Sequence, residues 1–347
     1  MNHSGTARRL VMTHGWNSTA YQILNPGMRH WFNGEESAVV GYQRRGGYLL
    51  AAGAPVCPPE RMAEVTAQFE AFAASQKCRV CYVCAGDRLR DSFASSPEHS
   101  VVALGAQPVW NPRDWAPMVR DHASLRAQLL RARNKGVWVE EADARIAARD
   151  PELVGILEDW LAHRRLPPMH FLVEPEVLRG EVEDRVVLVA SRNGRQIAYL
   201  MASPIAARKG YLIEEIARRH DAPNGTSELL IDAAMRRFAA DEREYVTLGL
   251  VALGRNVFRE SPLWLRGLMY FARAHANRFY NFRGLEYFRT KMHPAGWETI
   301  YLISREPRFS FRTLYAVGGA FSGISPIRAV GLGIAKAARE EILGLAS

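Results

Sequence analysis

The stretch 211–238 constrains the fold of this 347-residue chain more than any other part of the sequence. It begins with an apolar segment that ends in charged residues, and a Pro-Asn-Gly turn follows. Leu230, Ala234 and Phe238 then recur every four residues, which predicts a helix with one apolar face. We expect a strand, a turn in which Asn224 caps the helix, and a helix N-terminus whose backbone N–H groups can bind an anion or an acyl carbonyl.

Strand-like and helix-like segments alternate twice along the chain, which is typical of an α/β fold. Expected strands lie at 38–41, 48–52, 80–83, 100–104, around Val109, and at 186–190, 196–203, 211–216 and 246–250. Expected helices lie at 59–76, 122–134, 151–164 and 226–240. An Asn-Gly hairpin turn at 193–194 joins two of the strands. This order predicts mixed sheets flanked by helices.

Basic residues are unevenly distributed in this chain. Lys and Arg number 45 against 36 Asp and Glu, a formal net charge of +9, and the excess is concentrated at 113–135 and 255–291. Two basic stretches suit a polyanionic partner such as tRNA or an anionic membrane surface. A solvated charged face is the alternative. The candidate contacts to tRNA or phosphate in the first stretch are Arg126, Arg131, Arg133 and Lys135.

Three of the four cysteines, Cys78, Cys81 and Cys84, have a spacing that occurs in iron–sulfur proteins. The surrounding residues 79–85 are rich in Val and Tyr and predict a strand, in which residues three apart point to opposite faces. Cys78 and Cys84 would then share a face while Cys81 points away. We therefore expect buried reduced thiols, typical of a reducing cytosol, and no metal site.

No part of the sequence is expected to cross a membrane. Residues 1–9 are polar and carry no signal peptide, and no segment reaches the roughly 18 apolar residues that span a bilayer. The apolar and charged fractions, 48% and 23%, are ordinary for a soluble globular protein. We expect a chain without a transmembrane half.

The C-terminal segment 307–347 mixes apolar residues with Arg and Lys, and glycines interrupt it. This composition predicts amphipathic helical structure that contacts an anionic membrane surface. A helix pair that packs on the rest of the protein is the alternative.

A second block of sequence lies about 55 residues after the turn, at 280–294, and reads Tyr-Asn-Phe-Arg-Gly-Leu-Glu-Tyr-Phe-Arg-Thr-Lys-Met-His-Pro. Other blocks are Gly-Tyr-Leu-Leu-Ala-Ala-Gly-Ala-Pro-Val at 47–56, the basic segment 125–139 and Val-Thr-Leu-Gly at 246–249. Blocks in this order resemble the cytosolic catalytic domain of aminoacyl-phosphatidylglycerol synthases, the lysyl- and alanyl-transferring enzymes of the multiple peptide resistance factor type. The resemblance covers most of the chain.

The resemblance implies two acetyltransferase-like (GNAT) domains in tandem. The expected bounds are 1–140 for a degenerate first domain that ends in a basic helix, 141–306 for the catalytic domain, and 307–347 for the C-terminal segment. The implied activity moves an aminoacyl group from aminoacyl-tRNA to a lipid hydroxyl, with phosphatidylglycerol as the expected acceptor. The resemblance also implies a cytoplasmic enzyme at the inner leaflet of the cell membrane and a role in antimicrobial peptide resistance. We expect no cofactor beyond the aminoacyl-tRNA substrate and no stable protein partner.

The turn at 218–225 bears on the identity of the acyl donor. Acetyltransferases of this fold hold the coenzyme A pyrophosphate in an Arg/Gln-x-x-Gly-x-Gly/Ala loop, whereas this turn has one glycine, and Pro223 lacks a backbone donor. The turn therefore favours a donor other than acetyl-CoA. Two alternatives stay open: an acyltransferase that uses acyl-CoA or another acyl carrier, and a catalytically decayed protein that binds membrane or RNA.

The resemblance also assigns candidate catalytic residues. The family carries an acidic residue before the turn and an arginine three positions later, a spacing that Glu215 and Arg218 match. Counting back from Asp221 favours Glu214 instead. Since neighbours on a strand point to opposite faces, only one of the two glutamates would face the site. Lys291 matches the family's final lysine and is the expected oxyanion or phosphate ligand.

Further residues in or near the two blocks are candidates for binding the substrate. Their side chains supply a carboxylate for the α-ammonium of the donor, cations for phosphate, or the shape of the turn. They are Asp221, Asn224, Gly225, Glu228, Arg283, Arg289 and His170.

Overall fold

The computed structural model describes residues 3–93, 95–163, 170–173, 177–179, 182–252, 263–267 and 282–322, apart from the side chains of Phe282 and Arg283. Within these residues the main helices are α1 (His3–His14), α2 (Met62–Ser75), α3 (Asp87–Ser92), α4 (Trp115–Asp121), α5 (Ala123–Asn134), α6 (Ala144–Ala147), α7 (Pro151–Ala162), α8 (Thr226–Ala240), α9 (Phe282–Thr290) and α10 (Phe311–Ser322). The strands are β1 (Arg29–Phe32), β2 (Val39–Arg45), β3 (Tyr48–Ala52), β4 (Arg79–Ala85), β5 (Ser100–Trp110), β6 (Trp138–Ala142), β7 (Val186–Arg192), β8 (Arg195–Ile205), β9 (Gly210–Arg218), β10 (Tyr245–Thr247), β11 (Val251–Ala252) and β12 (Gly296–Ser304). Short 3₁₀ helices lie at Tyr21–Leu24, Pro59–Arg61, Pro112–Asp114, Val177–Arg179 and Ala206–Arg208.

The strands form one mixed sheet in the order β1-β2-β3-β4-β12-β5-β10-β9-β8-β7-β6, and β11 pairs with β5. β3 runs parallel to β4 and β9 runs parallel to β10, whereas the other neighbours are antiparallel. Parallel neighbours need a crossover connection, which α2 supplies for the first pair and α8 for the second. The predicted α/β class, with helices flanking a mixed sheet, is confirmed.

The two parallel pairs are joined in the middle of the sheet through an exchange of strands. β5 follows β4 along the chain but pairs with β10, and β12 follows β10 but pairs with β4. β5 and β12 also pair with each other along the whole of β12. The N-terminal and C-terminal parts of the chain are therefore interleaved in one sheet. The division into domains at 140 and 306 stays a prediction.

The helix α8 packs on the sheet in the way that its sequence predicts. Leu230, Ala234 and Phe238 are fully buried, and Tyr211 of β9 stacks on Phe238 with 4.3 Å between the ring centroids. The observed helix begins and ends at the predicted residues. Because burial of a large apolar side chain contributes about 1.5–3 kcal/mol, this face holds α8 firmly against β9.

Three predicted strand segments differ from the strands observed. The segments 100–104 and Val109 belong to one long strand, β5, because residues 105–108 between them also pair with β12. The predicted strand at 246–250 is shorter, since β10 ends at Thr247 and Gly249 turns the chain with a φ of 70°.

The C-terminal segment is described as far as residue 322. It contains α10, whose inner face buries Ala316, Val317 and Ala320 in a core cluster with the N-terminal strands. The rest of the predicted segment, 323–347, lies outside the described residues. Among the helices that the structure describes, none combines the length and the apolar character needed to cross a membrane.

The cysteines are buried, as expected, but the prediction that Cys78 and Cys84 share a face of the strand is wrong. All four cysteines are buried free thiols. Cys84 is the extra residue of a β-bulge opposite β12 and has a φ of 63°. Because the bulge changes which side chains share a face, Cys81 and Cys84 contact the same apolar cluster, whereas Cys78 contacts another. Burial raises the pKa of Cys57 to about 11 and that of Cys84 to about 12, which keeps both as unreactive thiols at neutral pH.

Candidate active site

A gap opens in the sheet where β9 and β10 part. Of the residues of β9, only 210–212 at the start of the strand pair with β10. Over 213–218, β9 pairs with β8 and with no other strand of the described residues. In α/β sheets, ligands bind outside the carboxyl ends of the strands where neighbouring strands part. The candidate site is therefore this gap, beside the N-terminus of α8.

The turn before α8 depends on a glycine rather than on an asparagine cap. Gly225 has a φ of 95°, and a Cβ there would lie 2.3 Å from the carbonyl oxygen of Gln128 in α5. Asn224 is exposed, and no described side chain caps the helix, so the predicted Asn224 cap is wrong. The Thr226 hydroxyl donates back to the Pro223 carbonyl at 2.7 Å. The first backbone N–H groups of α8 are thus left without a capping side chain.

The stretch 211–238 and the second block, 280–294, meet at an ion pair beside this turn. Lys291 Nζ lies 2.6 Å from Glu228 Oε1, and Glu228 is in the first turn of α8. The Glu228 side chain is 8% exposed and that of Lys291 is 31% exposed, so the carboxylate is enclosed while the ammonium reaches solvent. The ammonium lies 4.9 Å from the centroid of the Phe288 ring. The helix dipole and the lysine both stabilise the charged carboxylate.

Arg289 fixes the second block to the end of β10. Its guanidinium donates to the carbonyl oxygens of Gly249 at 3.0 Å and Leu250 at 2.7 Å. Because Arg289 is in the last turn of α9 and Lys291 follows that helix directly, this contact helps to place the lysine. Arg283 lies in the same helix, but its side chain is outside the described part of the chain.

The two candidate acids before the turn lie in a distorted part of β9. Glu215 pairs with Met201 and Ile213 pairs with Ala202, which leaves Glu214 as the extra residue of a β-bulge. A bulge interrupts the alternation of side chains on a strand. The expectation that the two glutamates point to opposite faces is therefore not valid at this position.

Hydrogen bonds place both glutamates on the same face of the sheet. Glu215 accepts a hydrogen bond from the Tyr199 hydroxyl. The Gln22 side-chain amide donates to Glu214 at 2.8 Å and to Ser203 at 2.9 Å. Tyr199 and Ser203 are four residues apart on β8 and so share a face. That face packs on α7, whereas α8 packs on the other face of β9.

Glu214 is held by a buried arginine. Arg185 Nε lies 2.5 Å from Glu214 Oε1, and the two side chains are 1% and 8% exposed. Arg185 also donates to Asn25 Oδ1 at 2.9 Å, and its guanidinium carbon lies 4.8 Å from the centroid of the Tyr21 ring. The predicted catalytic residues are thus separated: Glu214 and Glu215 lie on the α7 face, Arg218 lies at the start of the turn, and Lys291 pairs at the start of α8 with Glu228, a predicted substrate-binding residue.

The other candidates near the turn make weaker contacts. Arg218 donates to a carbonyl oxygen within the turn at 3.2 Å, which closes the turn on itself. Asp221 lies 3.7 Å from Arg195, and both side chains are more than half exposed. His170 is placed beside α10, where its backbone N–H donates to a carbonyl oxygen of that helix at 2.9 Å.

The basic helix α5 packs against α8 and borders the turn. Arg131 and Lys135 are exposed to solvent. Arg133 donates to Asp232 Oδ2 of α8 at 3.0 Å, and its side chain is half exposed. Arg126 turns back and donates to a carbonyl oxygen of α4. The four predicted phosphate contacts therefore lie on, or directly after, one helix that touches the candidate site.

Sequence reasoning missed two features at the site. The Asp232 side chain is 1% exposed and accepts a hydrogen bond from Trp115 Nε1 at 2.9 Å. The rings of His293 and His122 are tilted against each other with 3.5 Å between their centroids, and burial together with the neighbouring His122 lowers the pKa of His293. An acidic residue among apolar ones in α8 was an available signal for Asp232. Neither partner is near in sequence, so the contacts themselves carried no local signal.

Comparison with known protein families gives a match over most of this chain. The family model of the phosphatidylglycerol lysyltransferase C-terminal domain matches residues 8–304. The chain belongs to this family. The matched span of the lysyltransferase family includes α5, the gap between β9 and β10, and the Lys291–Glu228 pair. A search of curated proteins finds no match.

Solved structures of other proteins share the fold of this chain. The C-terminal domain (DUF2156) of a protein named as a lysylphosphatidylglycerol synthetase from Agrobacterium fabrum superposes with a TM-score of 0.75 at 22% identity, covering 92% of this chain and 97% of that chain. L-PGS from Bacillus licheniformis gives 0.74 at 16% identity, with 92% and 96% covered. FemX gives 0.53 at 7% identity, with 91% and 98% covered. The predicted family resemblance is confirmed, and the chain carries a catalytic domain of the lysylphosphatidylglycerol synthase type.

Proposed function

We propose that this lysyltransferase-family protein transfers an aminoacyl group from aminoacyl-tRNA to the hydroxyl of a lipid, with phosphatidylglycerol as the acceptor. The observation that supports the proposal most directly is the Lys291–Glu228 pair, whose charged atoms are 2.6 Å apart beside the N-terminus of α8. A cation, the backbone N–H groups of a helix N-terminus and a carboxylate in one place are the parts that such a transfer needs.

The proposed reaction uses a donor that is already activated, so the site has to position it and stabilise developing charge. The lipid hydroxyl oxygen attacks the ester carbonyl carbon, and a tetrahedral oxyanion forms. Lys291 and the first N–H groups of α8 stabilise this oxyanion. Collapse of the intermediate breaks the bond to the tRNA ribose oxygen, which takes up the proton lost by the lipid hydroxyl. The products are the aminoacyl ester of the lipid and tRNA with a free hydroxyl.

Glu228 has two roles in this proposal. Before the donor binds, it holds the Lys291 ammonium at the site through a charge-assisted hydrogen bond. It also offers its enclosed carboxylate to the α-ammonium of the incoming aminoacyl group. When one cation replaces the other at this carboxylate, Lys291 becomes free to face the oxyanion.

The turn and α5 favour a tRNA donor over coenzyme A. A pyrophosphate cradle needs several backbone N–H donors, and the turn contains Pro223, which has none. Beside the turn, Arg131, Arg133 and Lys135 present cations to solvent, and such side chains bind a phosphate backbone. We propose no cofactor beyond the aminoacyl-tRNA substrate and no stable protein partner.

Purified protein, given charged tRNA with a labelled amino acid and phosphatidylglycerol vesicles, is expected to move label into the chloroform phase. Ribonuclease added beforehand should abolish the transfer, because it destroys the donor. Acetyl-CoA in place of charged tRNA should support no turnover. Transfer that survives ribonuclease, or turnover with an acyl-CoA, would favour the alternative acyltransferase and contradict the proposal.

We also propose that the protein lies on the cytoplasmic leaflet of the cell membrane and contacts anionic lipid through α10. Phe311 and Tyr315 are 64% and 37% exposed on this helix. Arg312 directly follows Phe311 in sequence, and Arg308 precedes Phe311 by three positions. Apolar side chains beside cations bind anionic lipid interfaces. This contact would bring the site to its lipid substrate.

The double variant Phe311→Ser/Tyr315→Ser is expected to reduce co-sedimentation with phosphatidylglycerol vesicles by about tenfold or more. The reason is that each apolar side chain of this size contributes about 1.5 kcal/mol or more when it leaves water. Ile146→Ser in α6 is the matched control, because Ile146 is also an exposed apolar residue, at 70%. If the double variant binds vesicles as well as the wild type, α10 is a packing element and the lipid contact lies elsewhere.

A further inference from the structure

Two histidines and an aspartate are clustered where α7 meets the turn after β9. Asp159 is in α7, His163 follows the end of that helix, and His220 lies in the turn. The possible ligand atoms of the three residues all lie within 4.8 Å of one another. His220 Nδ1 is 3.1 Å from Asp159 Oδ1, and His163 Nδ1 is 3.4 Å from the same oxygen.

These side chains have the chemistry and the spacing of a metal site. Imidazole nitrogen and carboxylate oxygen are ligands that zinc and similar divalent ions prefer. Two ligands that each bind a tetrahedral ion at about 2.0–2.1 Å lie about 3.4 Å apart. The separations of 3.1 and 3.4 Å are close to that value.

The histidine rings are free to adjust to an ion. The two rings are stacked with centroids 4.6 Å apart, and their side chains are 56% and 61% exposed. Rotation of each ring about its χ angles turns a nitrogen toward a common point without disturbing the core. His163 Nδ1 also contacts the Asp159 carbonyl oxygen at 2.8 Å, a bond that metal coordination would replace.

We propose that Asp159, His163 and His220 bind a divalent transition metal ion of the zinc type. The carboxylate is already oriented, because it accepts a hydrogen bond from the His220 backbone N–H at 2.8 Å. Three protein ligands leave a fourth tetrahedral position for water. The bound ion ties α7 to the turn that runs from Arg218 to α8.

This inference is independent of the proposed transfer reaction, since it rests on three side chains that lie outside the Lys291–Glu228 pair. It departs from the expectation of no metal site, which was based on the cysteines. Asp159 and His220 are 61 positions apart along the chain, so their proximity depends on the fold.

The test is direct metal binding by tag-free full-length protein that has been stripped with a chelator. Zn²⁺ is titrated by calorimetry, and Co²⁺ is titrated by the visible absorption of its tetrahedral complexes. One Zn²⁺ per chain is expected. His163→Ala and His220→Ala should each weaken Zn²⁺ affinity by about 100-fold or more, since even residues that only orient metal ligands change affinity by about 10–100-fold.

His14→Ala is the control for histidine content, because His14 lies on α1 and outside the cluster. It should bind Zn²⁺ as the wild type does. Circular dichroism checks that each variant is folded, which the exposure of both rings leads us to expect. Absence of saturable Zn²⁺ and Co²⁺ binding, or equal binding by the wild type and the His163→Ala/His220→Ala double variant, would overturn the proposal.

Discussion

Lys291→Ala is expected to lower kcat/KM for aminoacyl transfer by about 100-fold or more, which is the effect of losing one oxyanion donor. In the proposed reaction the Lys291 ammonium stabilises the tetrahedral oxyanion, and its removal also leaves the enclosed Glu228 carboxylate without its partner. The measurement is steady-state transfer of labelled amino acid from charged tRNA to phosphatidylglycerol.

Lys209→Ala is the matched control for this variant. Lys209 also pairs with a glutamate, Glu244 at 3.3 Å, but its side chain is 68% exposed and it lies at the other end of β9. The control should keep the kcat/KM of the wild type. Circular dichroism and thermal unfolding are used to check whether either variant has a folding defect. A kcat/KM for Lys291→Ala within about threefold of the wild type would remove this lysine from the mechanism.

Arg185→Ala is expected to lower the free energy of unfolding by about 3–5 kcal/mol, because it leaves a buried carboxylate without its counter-ion. The Arg185 and Glu214 side chains are 1% and 8% exposed, so water does not reach the pair freely. The substitution also removes the hydrogen bond to Asn25. Urea unfolding, followed by fluorescence and circular dichroism, measures the change.

Two further variants sharpen this second prediction. Arg185→Met combined with Glu214→Gln removes both charges and should recover much of the lost stability, since neutral residues of similar volume often replace a buried ion pair at little cost. Arg145→Ala breaks an exposed ion pair with Glu183 and should change stability by at most about 1 kcal/mol. A loss for Arg185→Ala no larger than that of Arg145→Ala would show that Glu214 does not depend on its partner. A large loss would assign Glu214 to the framework of the site and leave Glu215 and Glu228 as its candidate acids.

The strands, the helices and the turn of the candidate site were predictable where their signals are local. The apolar positions of α8 recur every four residues, and the strand and turn that precede it lie within about twenty residues. A pattern of this length determines both the element and the face that it buries. For this reason the ends of α8 agree with the sequence prediction.

Side-chain directions could not be predicted wherever they depend on a partner strand. Glu214 and Cys84 are each the extra residue of a bulge, and one extra residue changes which side chains share a face. The turn shows the same limitation. The residue before α8 is Gly225 and not the predicted cap Asn224, because a Cβ at position 225 would lie 2.3 Å from a carbonyl oxygen of α5. That helix lies about a hundred residues earlier in the chain.

The contact between Lys291 and Glu228 illustrates what a family resemblance adds to local patterns. The two residues are 63 positions apart, and neither periodicity nor composition relates them. The resemblance singled out Lys291, whereas Glu228 was a candidate because it lies at the start of the expected helix, and nothing in the sequence paired the two. The fold brings them together because α9 is anchored to the end of β10 by Arg289, and β10 lies beside the strand that leads into α8.

The exchange of β5 and β12 affects how the chain can reach its native state. β12 pairs with β4, which emerges from the ribosome more than 200 residues earlier, and closing so long a loop slows folding. Until β12 is synthesised, β4 and β5 both lack their common neighbour and expose unpaired strand edges to other chains. A fragment that ends near residue 140 would keep those open edges permanently. The nascent protein therefore has to avoid aggregation for most of its translation, and the central sheet can close only after Ser304 has been added.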